Sequence, residues 1–317
     1  MLRRLAAAAL IASLSILPAA AQSPPRLVNG FAPGGTADIV ARLVAELAAP
    51  ALGARPVVET RTGATGFIAA EHVARGPADG SAVVLCVMSM LAIAPELPGA
   101  RLPIDPRTDL GGVALFALSP YGLVVGGNSP HRSLAGLIEA AKARPSAVSY
   151  ASVGVGSAPH LSGVLIGLRA PAEMVHVPYR GAAPALLDII AGRADFMMVS
   201  LGDVTKQIQD GDLRLLALGD SRPVPLFPNV PPLSASMPGV ESYTWFGLCG
   251  PRAMTAEGRG RWERGVAAAV ADPGFRTRLE AMGLVPVFED GATMDRRIAA
   301  DRALWGGVVR AANITAQ

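Results

Sequence analysis

The segment from Phe31 to Asp38 reads Phe-Ala-Pro-Gly-Gly-Thr-Ala-Asp and joins a short apolar stretch to an amphipathic helix. Apolar residues recur at helical spacing after this turn, so the helix begins at about Thr36, with Thr36 suited to the N-cap and Asp38 to the first turn. Gly34 and Gly35 let the main chain approach a ligand, and the first amides of a helix have no partner within it. These amides and the positive end of the helix dipole favour a carboxylate or a phosphate. The alternative is a tight strand-to-helix turn without a ligand.

A second loop, from Ser152 to His160, repeats this design between a predicted strand and a predicted helix. Gly154 and Gly156 supply open backbone, and Ser157 supplies a hydroxyl cap at the start of the helix. The spacing matches neither G-x-S-x-G nor G-x-G-x-x-G, which argues against a nucleophile elbow and against a dinucleotide site. His160 falls in the first helical turn, where we expect a structural hydrogen bond rather than catalysis.

A third loop, from His176 to Gly181, follows another predicted strand and leads into another helix. Tyr179 offers a phenol and a flat face, Arg180 offers a cation, and Gly181 begins the turn. A buried structural tyrosine and a solvated arginine are the alternative. Three such loops in one chain nevertheless indicate a shared binding site, because ligands of open α/β sheets bind outside the carboxyl ends of the strands.

The segments that carry these loops alternate between strand and helix patterns, which is typical of an α/β fold. In the first series, strands at 26–31, 56–59 and 82–88 alternate with helices at 36–49 and 67–74. In the second series, strands at 121–125, 148–151, 174–177 and 196–199 alternate with helices at 133–143, 159–168 and 184–191. We therefore predict mostly parallel strands with helices on both faces, arranged as two similar lobes rather than one continuous sheet.

The remainder of the chain is predicted to return to the first lobe. A proline-dense stretch at 223–238 reads as a surface connection, and a strand at 245–249 and helices at 256–271 and 294–312 follow it. The predicted organisation is a signal peptide at 1–21, the first part of lobe 1 at 22–120, lobe 2 at 121–224 and the return segment of lobe 1 at 225–317. We expect the two lobes to face each other across a ligand cleft.

The N-terminal sequence predicts export. Two arginines precede an apolar run from Leu5 to Leu17, and the alanines that follow form an A-x-A site, so we expect cleavage after Ala21. The apolar run is shorter than the roughly 20 residues of a spanning helix, and Gln22 is not a lipid-bearing cysteine. We predict a protein that is released into the periplasm.

The charge pattern argues against a nucleic-acid partner. Among the 28 basic residues only Lys142 and Lys206 are lysines, and no basic run carries interleaved aromatic residues. Loss of residues 1–21, which hold two arginines and no acid, lowers the formal net charge from +3 to about +1. The four histidines show no ligand spacing with cysteine or acidic residues, so we expect no metal and no cofactor.

Cys86 and Cys249 both lie in apolar runs that read as buried strands. An oxidising compartment permits a disulfide between them, and two buried free thiols are the alternative, because the sequence does not give their separation.

A series of short motifs runs through almost the whole mature chain. They are Pro33-Gly34-Gly35-Thr36 with Asp38, Pro56-Val57-Val58-Glu59 with Gly63 and Gly66, Ala78-Asp79-Gly80, Tyr150-Ala151-Ser152 with Gly154, Gly156-Ser157 with His160 and Leu161, Val177-Pro178-Tyr179-Arg180-Gly181, and Trp245 with Gly247-Leu248. In their order and spacing these motifs resemble the Bug family, also called the TctC-like extracytoplasmic solute receptors of tripartite tricarboxylate transport systems.

The resemblance implies a type II periplasmic binding protein fold, in which two doubly wound α/β lobes close on a small carboxylated ligand. It also implies that main-chain amides and bridging waters hold the ligand carboxylate. The ligand-binding residues implied for this sequence are Phe31, Gly34, Gly35, Thr36, Asp38 and Ser89 from one side, and Gly154, Gly156, Ser157, His160, Tyr179 and Gly181 from the other. An anion held by amides needs no arginine, which agrees with the residues of the three loops.

The function implied by the resemblance is that of a non-enzymatic receptor, which delivers a small carboxylate to the membrane permease of a tripartite tricarboxylate-type system. We expect a monomer. An orphan or sensory carboxylate receptor of the same fold is one alternative. An exported hydrolase that uses Ser157 or Ser89 with His160 and Asp38 is another, which the absence of nucleophile-elbow spacing disfavours.

Overall fold

The computed structural model describes residues 23–222 and 224–316, and the predicted signal peptide at 1–21 lies outside them. The strands in these ranges are β1 (Arg26–Asn29), β2 (Val57–Thr60), β3 (Ala82–Val87), β4 (Leu110–Gly126), β5 (Ser149–Ser152), β6 (Val175–Pro178), β7 (Phe196–Ser200), β8 (Leu213–Leu218), β9 (Tyr243–Pro251) and β10 (Val285–Asp290). The helices are α1 (Thr36–Leu47), α2 (Ala49–Leu52), α3 (Phe67–Ala74), α4 (Pro106–Asp109), α5 (Leu134–Ala143), α6 (Ala158–Arg169), α7 (Ala182–Ile190), α8 (Leu201–Gln209), α9 (Leu233–Ser236), α10 (Ala256–Ala271), α11 (Pro273–Ala281) and α12 (Gly291–Ala311). None of these helices is long and apolar enough to span a membrane.

The described strands form one sheet, in which β4 belongs to two halves. The strand order is β2-β1-β3-β9-β4-β7-β5-β6, and β8 and β10 also pair with β4. Residues 110–120 of β4 pair with β9, and residues 121–126 pair with β7 and β8. The first half of the sheet therefore contains β1, β2, β3, β9 and β10, and the second half contains β5 to β8.

The strand directions confirm an α/β fold and correct the predicted parallel sheet. The pairs β1–β2, β1–β3, β5–β6 and β5–β7 are parallel, as expected for strands joined by helices. Every pair that involves β4 or β9 is antiparallel. The sequence predicted two lobes rather than one continuous sheet, and in the structure one sheet runs through both halves, because the predicted strand at 121–125 is the end of a 17-residue strand that they share.

Three chain segments lie side by side where the two halves meet. The amide of Tyr121 donates to the Ser242 carbonyl at 3.0 Å, the amide of Gly219 donates to the Tyr121 carbonyl at 2.6 Å, and the amide of Ser242 donates to the Gly219 carbonyl at 2.6 Å. A Cβ at Gly219 would lie 2.0 Å from the Ser242 carbonyl oxygen, so this close approach requires glycine. The crossing between the halves is thus a narrow ribbon held by backbone hydrogen bonds.

Buried tryptophans attach the C-terminal helices to the first half of the sheet. Trp262 in α10 donates its Nε1 hydrogen to the Gly80 carbonyl at 2.8 Å, just before β3. Trp245 in β9 donates to the carboxylate of Asp301 in α12 at 2.8 Å. Both rings are fully buried, and these hydrogen bonds satisfy their indole N–H groups inside the core. The return of the chain to the first half is therefore held by packing and by hydrogen bonds.

A disulfide joins Cys86 in β3 to Cys249 in β9, across 163 residues of sequence. The two strands are antiparallel neighbours in the sheet, with Val84 opposite Cys249 and Cys86 opposite Gly247, and both sulfurs are buried. This pairing selects the disulfide from the two alternatives that the sequence left open. It ties the returning strand covalently to the early part of the first half.

We predict that replacing both cysteines, Cys86→Ala with Cys249→Ala, lowers the free energy of unfolding by about 2–5 kcal/mol, because the closed loop no longer restricts the unfolded chain. Denaturant unfolding of the oxidised wild type and the double variant measures this difference. Thiol titration of the unfolded, non-reduced protein is the control, and two reactive thiols per chain would contradict the bond.

Candidate ligand-binding cleft

A cleft lies at the carboxyl ends of strands from both halves of the sheet. Its larger compartment has a volume of about 970 Å³, and an adjoining smaller compartment has a volume of about 430 Å³. The loops after β1, β3, β5 and β6 and the end of β7 all contribute to the larger compartment. This is the place where open α/β sheets bind their ligands. Both compartments share the residues Thr65, Ser89, Tyr121, Val153, Ala182, Ser200 and Asp203.

The loop after β1 is held in shape by a buried carboxylate. Asp38 accepts hydrogen bonds from the Gly34 amide at 3.1 Å, from Arg42 Nε at 3.0 Å and from Asn29 Nδ2 at 3.4 Å. The bond from Arg42 lowers the pKa of Asp38, the bonds from Gly34 and Asn29 act in the same direction, and burial opposes them. Asp38 does not appear among the described residues that line the cleft, so it supports the loop from behind.

The N-terminus of α1 opens onto the larger compartment. Gly35, with φ −78° and ψ 169°, is the N-cap, so the prediction that Thr36 caps this helix is wrong by one residue. The side chain of Thr36 instead donates from Oγ1 to Asp203. The amides of Gly35, Thr36 and Ala37 have no partner in the part of the chain that the structure describes, and all three residues line the larger compartment. They are therefore available to an anion.

A second helix N-terminus faces the same compartment from the other half of the sheet. Gly181 is the N-cap of α7, and its φ of +113° favours glycine. No side chain within the described ranges caps this helix, and Gly181, Ala182 and Ala183 all line the larger compartment. The positive ends of α1 and α7 thus meet in one space, which favours a negatively charged ligand there.

The loop after β5 satisfies most of its own backbone. The Gly154 amide donates to Ser152 Oγ at 3.1 Å, and the Gly156 amide donates to His160 Nδ1 at 3.1 Å. Ser157 is the N-cap of α6, as predicted, and its hydroxyl donates to the Gly154 carbonyl at 2.6 Å. Gly156 and Ser157 line the smaller compartment, whereas Gly154 and His160 are not among the described lining residues.

His160 is part of a buried aromatic stack under this loop. The centroid of its ring lies 3.9 Å from the centroid of the His176 ring, and the ring also stacks on Tyr150. Burial, together with the smaller effect of the neighbouring His176, lowers the pKa of His160 to about 4. The Nδ1 atom is occupied by the Gly156 amide, and the Ser157 hydroxyl bonds to backbone atoms, so the two side chains do not form a nucleophile and base pair among the described contacts.

Tyr179 supports the third loop without lining either compartment in the described structure. Its amide donates to the Ser152 carbonyl at 2.9 Å, and its hydroxyl donates to Asp188 Oδ2 at 2.7 Å. The aromatic ring packs against the core of the second half of the sheet, and Arg180 is exposed. The predicted residues that line the cleft are Phe31, Gly34, Gly35, Thr36, Ser89, Gly156, Ser157 and Gly181.

The sequence did not predict the contribution of β7 and α8 to the cleft. Ser200 ends β7, and Gly202 and Asp203 lie in the first turn of α8, where Asp203 lines both compartments. The signal was available, because Ser200-Leu201-Gly202-Asp203 is one more strand-to-helix junction with glycine and a capping residue type. Tyr121 also lines both compartments, and it was hidden inside the apolar run of β4.

The cleft is poor in positive side chains. Among the described residues that line it, Arg101 in the smaller compartment is the one lysine, arginine or histidine. The two described ranges contain no group of three or more histidine, cysteine or acidic residues that could hold a metal ion. The positive potential for a ligand therefore comes from backbone amides and helix ends.

Comparison with known sequences finds relatives along most of the chain. The sequence profile of the tripartite tricarboxylate transporter family receptor matches residues 40–314. Protein BugT of Bordetella pertussis is 31% identical over 292 residues, which cover 90% of this chain and 88% of that protein. The UPF0065 protein in the tcbD-tcbE intergenic region of Pseudomonas sp. (strain P51) is 32% identical over 263 residues, which cover 82% of this chain and 78% of that protein.

Comparison with solved structures finds the same architecture. Rpa4515 of R. palustris, solved with adipate, superposes with a TM-score of 0.83 at 31% identity and covers 92% of this chain and 98% of its own. MatC (Rpa3494) from Rhodopseudomonas palustris, solved with bound malate, superposes with a TM-score of 0.78 at 25% identity and covers 91% of this chain and 99% of its own. The periplasmic binding protein BugD superposes with a TM-score of 0.80 at 28% identity and covers 93% of this chain and 99% of its own. These likenesses confirm the predicted periplasmic binding protein fold.

We predict that stability falls as the pH is lowered from about 6.5 toward about 4, in part because the unfolded chain binds a proton that folded His160 does not. Because the pKa of His160 is lower in the folded protein than in the unfolded chain, its contribution to the free energy of unfolding is fully present above the unfolded pKa. This contribution, about 3 kcal/mol, is lost as the pH falls toward the folded pKa. His160→Asn keeps an acceptor for the Gly156 amide without a titrating ring, so its free energy of unfolding should depend less on pH over this interval. Urea unfolding at several pH values measures both slopes, and equal slopes would contradict the prediction.

Proposed function

The chain belongs to the tripartite tricarboxylate transporter receptor (TctC) family of solute-binding receptors, and from this premise we propose that it captures a small carboxylate in the cleft and delivers it to a membrane permease of the tripartite tricarboxylate type. The observation that carries the proposal is the meeting of α1 and α7, whose uncapped N-termini line one compartment from opposite sides. Each end contributes a partial positive charge and free amide hydrogens, which suit a carboxylate. The adipate and malate in two solved relatives are ligands of the same chemical class.

In this proposal the carboxylate lies against the amides of Gly35 and Thr36 from one side and near Gly181 from the other. Phe31, Gly34, Ser89, Gly156 and Ser157 form the surrounding walls, and bridging waters complete the contacts. Asp38, Gly154, His160 and Tyr179 act indirectly, because they hold the three loops in shape.

We also propose that binding closes the cleft. The moving bodies are the predicted lobes, with residues 22–120 and 225–317 in one and residues 121–224 in the other. The ribbon of Tyr121, Gly219 and Ser242 is the proposed hinge, because few backbone hydrogen bonds join the bodies there. Closure requires that the ligand binds the closed form more tightly than the open form, which contacts from both sides of the cleft provide.

The proposed place of action is the periplasm, after cleavage behind Ala21, and the proposed working form is a monomer without a cofactor. A binding role needs no reaction at the bound carboxylate. The contacts of Ser157 and His160 agree with this role, because each bonds to backbone atoms of its own loop.

We predict that the mature protein is stabilised against heat by a class of carboxylates and that the matching carboxamides do not stabilise it. A ligand at 100 times its dissociation constant adds about 2.7 kcal/mol, which raises the melting temperature by several degrees. A thermal-shift screen of mono-, di- and tricarboxylates, amino acids and their amides, on protein refolded without ligand, measures this. Equal shifts for an acid and its amide would contradict a carboxylate grip.

We predict that Gly35→Val weakens binding of the best acid from this screen by about 10- to 100-fold, because the branched side chain would block the carboxylate from the amide hydrogens, and one charge-assisted hydrogen bond contributes roughly 1.5–3 kcal/mol. The extended backbone of Gly35 tolerates a side chain, and a Cβ there meets the Ala32 carbonyl oxygen only at 3.7 Å, so the variant should fold. Gly307→Val is the matched control, because a Cβ at Gly307 in α12 meets nothing within 4 Å and Gly307 lies outside both compartments. Isothermal titration measures both affinities, and unchanged affinity in Gly35→Val would remove the first loop from the site.

A further inference from the structure

Asp203 brings a negative charge into a cleft that otherwise favours anions. Among the described residues that line the larger compartment it is the one charged side chain, and it lines the smaller compartment as well. Asp203 is an exposed residue in the first turn of α8, and its position in the lining of both compartments places its carboxyl group at the cleft. No lysine, arginine or histidine of the described chain forms an ion pair with it.

Asp203 is linked directly to the residue that begins α1. Thr36 Oγ1 donates a hydrogen bond to Asp203 Oδ1 at 2.7 Å across the cleft. The amide of the same threonine is one of the open donors of the proposed carboxylate site. A ligand carboxylate oxygen on this amide would therefore lie within about 8 Å of the Asp203 carboxyl group, given ordinary hydrogen-bond lengths.

Two carboxylates at this separation repel each other unless a positive group lies between them. The described part of the chain supplies no such group at Asp203. Desolvation by the surrounding cleft raises the pKa of Asp203, and the bond from Thr36 only partly opposes this shift, as expected for a carboxyl group without a cationic partner. An α-amino acid carries its ammonium group on the carbon next to its carboxylate and can place it between the two acids.

We propose, resting on the function proposed above, that Asp203 binds the ammonium group of an amino-acid ligand whose carboxylate is held by the amides at the start of α1. Asp203 thereby selects amino acids over simple acids and dicarboxylates. The bond from Thr36 fixes the orientation of the Asp203 carboxyl group for this contact.

The lining of the larger compartment determines which amino acids are suitable probes. Ile39 from α1 and Leu187 and Ile190 from α7 are exposed apolar residues that border it, and Phe246 adds an aromatic wall. These residues favour an apolar ligand side chain. A dicarboxylate would instead direct its second carboxylate toward Arg101 in the smaller compartment, so malate and adipate are included as competitors.

The first experiment measures isothermal titration of the mature wild type, refolded without ligand, with two matched pairs at pH 7.5. The pairs are L-leucine with 4-methylpentanoate and L-phenylalanine with 3-phenylpropanoate. We expect the amino acid of at least one pair to bind at least about tenfold more tightly than its deaminated partner, because the ammonium group adds a charge-assisted contact.

Two variants assign the preference to Asp203. Asp203→Asn keeps the shape and an acceptor for Thr36, and we expect it to lose the preference, with affinity for the amino acid falling about tenfold or more and affinity for the deaminated acid unchanged or higher. Asp212→Asn makes the same charge change at an exposed position outside both compartments and should keep the preference. Circular dichroism melting of each variant checks that it is folded.

The outcomes separate this inference from the proposed function. If deaminated acids, malate or adipate bind and the amino acids do not, or if Asp203→Asn keeps the preference, the inference is overturned and the carboxylate receptor stands. The second result would leave Asp203 as a residue that offsets the positive end of α8. If no carboxylate of any kind binds, the proposed function fails and this inference fails with it. Should Asp203→Asn not fold, Thr36→Val tests the same arrangement, because it removes the hydrogen bond that orients the Asp203 carboxyl group. The inference is overturned if Thr36→Val keeps the preference for the amino acid over its deaminated partner and the wild type binds malate more tightly than leucine.

Discussion

The continuous course of β4 is the constraint on which the cleft depends. One strand pairs with β9 and β10 along its first part and with β7 and β8 along its last part, and it is buried throughout. The parallel strands on either side therefore end at a common cleft, although they belong to different halves of the sheet. Backbone hydrogen bonds of the sheet, the disulfide and the buried tryptophans stabilise the scaffold, so the loops at its edge can leave amide groups without partners.

The helices that begin at this cleft are capped in different ways, and the difference indicates where an anion can bind. Helix α6 is capped by Ser157, and the glycine amides before it are used within the loop. Helix α8 has Asp203 in its first turn, which offsets its positive end. In the part of the chain that the structure describes, helices α1 and α7 have neither a capping side chain nor an acid that faces the cleft. The unused positive potential is therefore concentrated between these two helices.

Local patterns of the sequence predicted much of the fold. Helices α3 and α10 match their predicted bounds, and the loops around Gly35, Ser157 and Gly181 follow strands and begin helices as expected. The antiparallel centre was not predictable in this way, because strand direction depends on pairing between segments far apart in the chain, such as β3 with β9. The elements α8, β8, α11 and β10 were also missed. Helix α8 is short and polar on one side, and it follows β7 without an intervening loop, so Ser200-Leu201-Gly202-Asp203 was the one local signal of its start.

The site itself could be located but not resolved into roles from sequence alone. Asp38 and Asp203 both lie in the first turn of a helix that follows a strand, where an acidic side chain offsets the positive end of the helix. The contacts of the two side chains in the folded protein distinguish them. Asp38 is enclosed by Arg42, Asn29 and the Gly34 amide, so its charge is neutralised within its own loop. Asp203 has Thr36 as its one described side-chain partner and an open face toward the cleft, so its charge remains available to a ligand. The difference between the two acids depends on contacts such as that of Asp203 with Thr36, which lies 167 positions away in the sequence. A local motif does not contain this information.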